Sequence, residues 1–173
     1  ETAWETQEER LAVDAKSAQL QIGLPKEHAM NEHRLLLTPE SVQILVAQGH
    51  EIVVETGAGT LAGFPDARYA NAGATIALGP EEVFQSAIIA KVAPPTVAEI
   101  AMMRGSQTLI SALQLRTRNR DYFKSLADKK ITALALEEVR NSEDQSALRM
   151  AMSEIAGQMA ARVGASLLAD GAH

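Results

Sequence analysis

Apolar and polar positions change their period repeatedly along this chain. Short runs that are apolar on consecutive positions occur at 20–24 (LQIGL), 51–55 (EIVVE), 74–78 (ATIAL), 87–92 (AIIAKV), 107–113 (QTLISAL) and 131–139 (ITALALEEV). They are mostly rich in β-branched residues, the pattern of strands covered on both faces. Between them, 38–49, 64–73, 79–86, 94–103 and 119–130 carry helical signals. Thr38 suits an N-cap, Pro39 the first helical position and Gly49 the position just past the end. Prolines 94 and 95 are expected to begin the fourth helix, and Gly73 to close the second. Lys129 and Lys130 fall in the last turn of the fifth, where cations complement the helix dipole.

Strands alternating with helices at this spacing predict an α/β fold: an open, mostly parallel sheet of about six strands flanked by helices, flavodoxin/Rossmann-like. The first 18 residues are polar and charged, and read as an N-terminal extension. Residues 19–142 form the α/β domain. From about 143 to 170 one long helix is expected, with Leu148, Met152, Ile155, Met159, Val163 and Leu167 in a single apolar stripe. Ala156, Ala160 and Gly164 add a row of small residues. Spacing alone favours a packing helix over a linker or oligomer helix.

Composition narrows the function classes. The apolar fraction of 46% supports a real core, and no stretch approaches the length of a membrane span. The chain has no cysteine, which excludes disulfides and thiolate metal sites. Net charge is −6 and aromatics are 3%, against the basic, stacking-rich surface of a nucleic-acid binder. His28, His33 and His50 make no recognisable metal constellation, so no metal is expected, and His28 and His33 read as surface residues. A cytoplasmic location is the expectation.

One stretch imitates a cofactor motif. After the run at 51–55, Gly57, Gly59 and Gly63 form G-x-G-x-x-x-G, one residue longer than the dinucleotide fingerprint. Pro65 interrupts the helix that would receive a pyrophosphate. No acidic residue closes the run at 74–78, where ribose binding would want one. These glycines are expected to supply positive-φ turns and close packing instead.

Several segments together resemble a known family. IGLPKE with NEHRLLLTPESV, GHEIVVETGAG, YANAGATI, AKVAPP, SQTLIS and MSEIAGQMA stand in the order and spacing of alanine dehydrogenases and of nicotinamide nucleotide transhydrogenases, over residues 20–168. The bacterial alanine dehydrogenase-like branch is the nearest in character. The resemblance implies a longer protein, in which an NAD-binding Rossmann domain absent from these residues follows the 143–170 helix. It implies oxidation of L-alanine to pyruvate and ammonia, NAD held mainly by that other domain, no activity for this part alone, and a homo-oligomer. The alternatives are the NAD(H)-binding subunit of a transhydrogenase, or a non-catalytic module that binds a small acid or a partner.

The resemblance also implies roles for particular residues. Arg34 follows the first strand, where such folds place their sites, and its planar fork suits a carboxylate. Lys91 closes the fourth strand and matches a lysine that contacts the substrate. Gln114 stands where the family usually has an acid–base histidine, and an amide cannot exchange a proton near neutral pH. Glu137, expected at the end of the sixth strand, matches a glutamate near the substrate. Ser153 is the expected cofactor contact on the last helix.

Overall fold

Six parallel strands form one sheet in the order β3-β2-β1-β4-β5-β6. They are β1 (Gln21–Leu24), β2 (Glu51–Glu55), β3 (Thr75–Ala77), β4 (Ile88–Ala90), β5 (Thr108–Ser111) and β6 (Thr132–Ala135). The structure is a computed structural model and describes residues 19–141 and 146–170. The expected polar extension, 1–18, lies outside the described residues. Strand order runs one way from β1 to β3 and the other way from β4 to β6. β1 and β4 are paired neighbours, so the switch point of the sheet lies between them.

Helices cover both faces. Alternation along β2 sends Ile52 and Val54 into a cluster with Val42 of α1 (Pro39–Ala47) and Tyr69 of α2 (Asp66–Asn71). The intervening Val53 turns the other way and meets Val83 of α3 (Pro80–Val83). Beyond the switch point, Ile89 and Leu109 pack with Ile100 of α4 (Val97–Met102) and with Tyr122 and Leu126 of α5 (Arg120–Asp128).

The expected caps form. The Thr38 hydroxyl accepts from the Ser41 N–H, Pro39 opens α1, and Gly49 and Gly73 take left-handed φ of 91° and 93°. Lys129 goes further than the dipole argument: its ammonium donates to the carbonyls of Ala101 and Met103, tying the end of α5 to the end of α4.

Three elements differ from the reading of the sequence. The fourth helix starts at Val97 and not at the prolines, because a residue before proline is pushed to extended backbone. Thr96 caps it instead, in a capping box closed by Glu99. β6 ends at Ala135, and residues 136–138 turn into a 3-10 helix, so Glu137 sits on a turn and not at a strand end. Finally, α6 (Ala147–Asp170) is a single helix of 24 residues, but beyond Met152 its stripe does not pack on the described residues of the domain. Met152, Ile155, Met159, Val163 and Leu167 are 39% to 67% exposed. No described helix is long and apolar enough to cross a membrane.

Candidate substrate site at the carboxyl edge of the sheet

The loops that leave the carboxyl ends of β1, β4, β5 and β6 converge on a cavity of about 400 Å³. Leu35, Leu36, Val92, Ala112, Leu136 and Met152 give it an apolar wall, and its polar groups are Arg34, Glu137 and Arg149. A second cavity of about 330 Å³ adjoins it, shares Glu137 and Arg149, and adds Gln114 and Arg116.

Carboxylates hold this edge in shape. Just past the last ladder bond, each strand leaves backbone N–H groups with no neighbour to accept from them. Glu55 takes the Lys26 N–H at 2.9 Å. Glu27 takes those of Val92 at 2.6 Å and Ala93 at 3.4 Å. Glu137 takes those of Gln114 at 2.7 Å and Leu113 at 3.1 Å. Each glutamate thereby fastens the loop of a neighbouring strand. Sequence reasoning found Glu137 but missed the roles of Glu27 and Glu55. The signal available was an acidic residue at or just after an apolar run.

Lys91 is at the carboxyl end of β4 as expected, yet it faces away from the cavity. Alternation exposes Val92 to the cavity wall and turns Lys91 toward α4 and the loop after β1. Its ammonium donates to Glu99 Oε1 at 2.7 Å and lies 3.4 Å from Glu27 Oε2, with all three side chains almost fully buried. Burial pushes the Glu27 carboxyl above its ordinary range, against the opposing pull of Lys91. Burial acts on Glu99 too, but the Lys91 ammonium and the Thr96 donors outweigh it and hold that carboxyl low. A buried ion cluster thus encloses Lys91, the residue that the resemblance matches to a substrate-contacting lysine.

Arg34 lines the cavity, but its fork is engaged. Its Nε and NH2 donate to the two oxygens of Glu32 at 2.8 and 2.6 Å, and NH1 points at the Met152 sulfur at 3.4 Å. The guanidinium beside it holds the Glu32 carboxyl below its usual range. Gln114 is exposed, in a left-handed conformation with φ of 52°, and its backbone rather than its side chain is fixed, by Glu137 and by Thr117. Ser153 is exposed on α6, about 100° around the helix from Met152, and lines neither cavity. His28 and His33 are exposed and also lie outside the lining.

The glycine loop does not fit a dinucleotide. Asp66 already occupies the Gly57 N–H at 2.8 Å and the Thr56 hydroxyl at 2.7 Å, where a phosphate would need donors and no anion. A Cβ at Gly59 would lie 2.6 Å from both the Phe64 carbonyl and the Tyr69 ring, so that approach is filled by the domain's own packing. Gly57 and Gly63 adopt φ of 74° and 83°, the turns expected of them.

The model of the alanine dehydrogenase/PNT N-terminal domain matches residues 23–156. The chain belongs to this family. Alanine dehydrogenase of Bacillus subtilis is 40% identical over 147 residues, 85% of this chain and 38% of the relative. That of Methanococcus maripaludis is 39% identical over 148 residues, 85% and 39% of the two chains. A solved L-alanine dehydrogenase superposes with a TM-score of 0.82 at 36% identity, over 86% of this chain and 41% of its own. A transhydrogenase from Sinorhizobium meliloti follows at 0.66 and 29%, over 71% and 37%. This member of the family thus spans about two-fifths of the length of the curated relatives it matches.

Proposed function

We propose that the chain is the substrate-side domain of an alanine dehydrogenase-like oxidoreductase that converts L-alanine to pyruvate and ammonia with NAD as hydride acceptor. The supporting observation is the small apolar cavity at the carboxyl edge of the sheet, beside its switch point, with arginines as its cations. Such a wall suits a methyl side chain, and a guanidinium suits a carboxylate. Arg34 contributes to carboxylate binding by exchanging Glu32 for the substrate. Gln114 donates an amide hydrogen bond to the substrate carbonyl. It holds no transferable proton, so water takes the proton that a histidine would otherwise handle. Lys91 acts at one remove, by anchoring Glu27 under the loop that presents Val92. Glu137 keeps Gln114 in place. Ser153 on the open helix α6 meets the cofactor, which is bound mainly by residues outside 1–173.

The full-length protein is expected to reduce NAD with L-alanine, and residues 1–173 alone to show no turnover. Reduction of NAD by residues 1–173 would overturn the need for a second domain. Glutamine at 114 and the likeness to a transhydrogenase favour one other reading, hydride transfer between two nicotinamides. Transfer from NADH to a nicotinamide analogue by the full-length protein, with no response to alanine or pyruvate, would establish that reading instead. The exposed stripe of α6 supports a homo-oligomer, since the apolar side chains on it are unsatisfied by this domain.

A further inference from the structure

We propose that Glu27 makes residues 92–96 a proton-operated strap at the wall of the edge cavity, fastened when its carboxyl is ionised and loosened when it is protonated. The proposal holds whatever the cavity binds. The segment joins β4 to α4, and Val92 stands on the cavity wall. Its backbone donors go to two carboxylates. Glu27 Oε1 takes the Val92 N–H at 2.6 Å, and Oε2 takes the Ala93 N–H at 3.4 Å. Pro94 and Pro95 have no N–H to give. Glu99 Oε2 takes the Thr96 N–H at 2.6 Å. The other oxygen of Glu99 holds the Lys91 ammonium at 2.7 Å, and Glu27 Oε2 lies 3.4 Å from the same ammonium. Both ends of the strap are therefore tied to carboxylates that share one buried lysine.

One lysine between two carboxylates leaves one negative charge in excess when all three groups are ionised, and burial penalises that charge. Lys91 lies nearer to Glu99, so the excess falls on Glu27. Of the other charged groups nearby, Arg34 feels the Glu27 charge but pairs with Glu32, and Glu55 of β2 accepts the Lys26 N–H. His28, the next residue in the chain, is exposed. Burial pushes the Glu27 carboxyl up, so it takes a proton before Glu99 does as pH falls. A protonated carboxyl keeps one accepting oxygen and makes the other a donor. On Oε1 the new proton would face the Val92 N–H, and on Oε2 the Ala93 N–H and the Lys91 ammonium. Either oxygen, once protonated, gives up an amide of the strap. The strap opposes the proton that burial favours, and this opposition couples the loop to pH.

The test is hydrogen exchange read by mass spectrometry on the full-length protein without ligand, over a pH series from the ordinary carboxylate value of about 4.3 to neutrality. Because two of its residues are prolines, a peptide spanning 90–97 reports on few amides, chiefly those of Val92, Ala93 and Thr96. After correction for the intrinsic rate, protection there should fall about tenfold as pH drops through the Glu27 titration, the scale of one hydrogen bond to a charged acceptor. Peptides from β2 should keep their protection. Glu27→Gln, neutral at every pH, should show the loosened exchange throughout, with no step. Constant protection across the series in the wild type overturns the proposal, and does so even if the variant fails to fold. A step that persists in Glu27→Gln also overturns it, because another group is then titrating. A loss shared by β2 marks general unfolding and overturns it as well.

Discussion

Glu137 shows how one side chain can shape a site without acting in the chemistry. Its two oxygens satisfy two consecutive amides, and the second belongs to Gln114, whose left-handed backbone is costly for a non-glycine residue. Glu137→Ala should leave both amides without their acceptor and cost about 1–3 kcal/mol in urea unfolding, with faster hydrogen exchange at 113 and 114. Glu27 belongs to a different balance. The fold favours its neutral form, so that contribution to stability is complete below the ordinary carboxylate value of about 4.3 and is lost as pH rises through the raised folded value. Glu99, held low, has the opposite sign: its contribution is present above about 4.3 and is lost as pH falls through its folded value. The two groups therefore act in opposite senses: the thermal midpoint gains as Glu99 ionises and declines as pH rises through the raised Glu27 value. Glu27→Gln should remove the decline on the alkaline limb and leave the acid limb in place.

At the scale of elements, close approach matters more than propensity. A Cβ at Gly23 would sit 2.5 Å from the Val83 carbonyl, so α3 can lie against β1 only because this strand residue lacks one. Gly23→Ala should force the end of α3 outward and cost about 1–3 kcal/mol, read as a lower urea midpoint. Normal stability for that variant would mean that α3 shifts freely. The start of α4 illustrates a second dependence. Glu99 closes the capping box through one oxygen and holds Lys91 through the other, so the helix start and the buried ion cluster form together.

Across the whole molecule, the site lies beside the switch point because strand order reverses between β1 and β4, which opens the loops on either side away from each other. The long helix α6 brings Arg149 and Met152 to that opening and then carries its apolar stripe away from the domain. We expect residues 1–173 to self-associate through this stripe. Light scattering should give a dimer or larger, and Met159→Glu with Val163→Glu should return it to a monomer. A wild-type monomer across a concentration series would count against this interface.

The sequence by itself determined the order and type of nearly every element, because burial on both faces of a parallel strand and the capping of a helix are local demands that particular residues meet in place. Thr38, Pro39 and Gly49 were legible for that reason, as was the failure of the glycine loop to match a dinucleotide fingerprint. The family was legible too, from motifs in register. Only the tertiary structure decided what the charged residues do. Lys91 and Arg34 occupy the positions expected of them, but their partners Glu99, Glu27 and Glu32 are chosen by side-chain direction and by loops meeting in space. Which face of α6 meets the cavity is also a tertiary matter: Arg149 and Met152 line it, and Ser153, about 100° around the helix from Met152, does not. β6 stops short for the same kind of reason: the amides that Glu137 satisfies belong to another strand, and no local pattern in 131–139 records them.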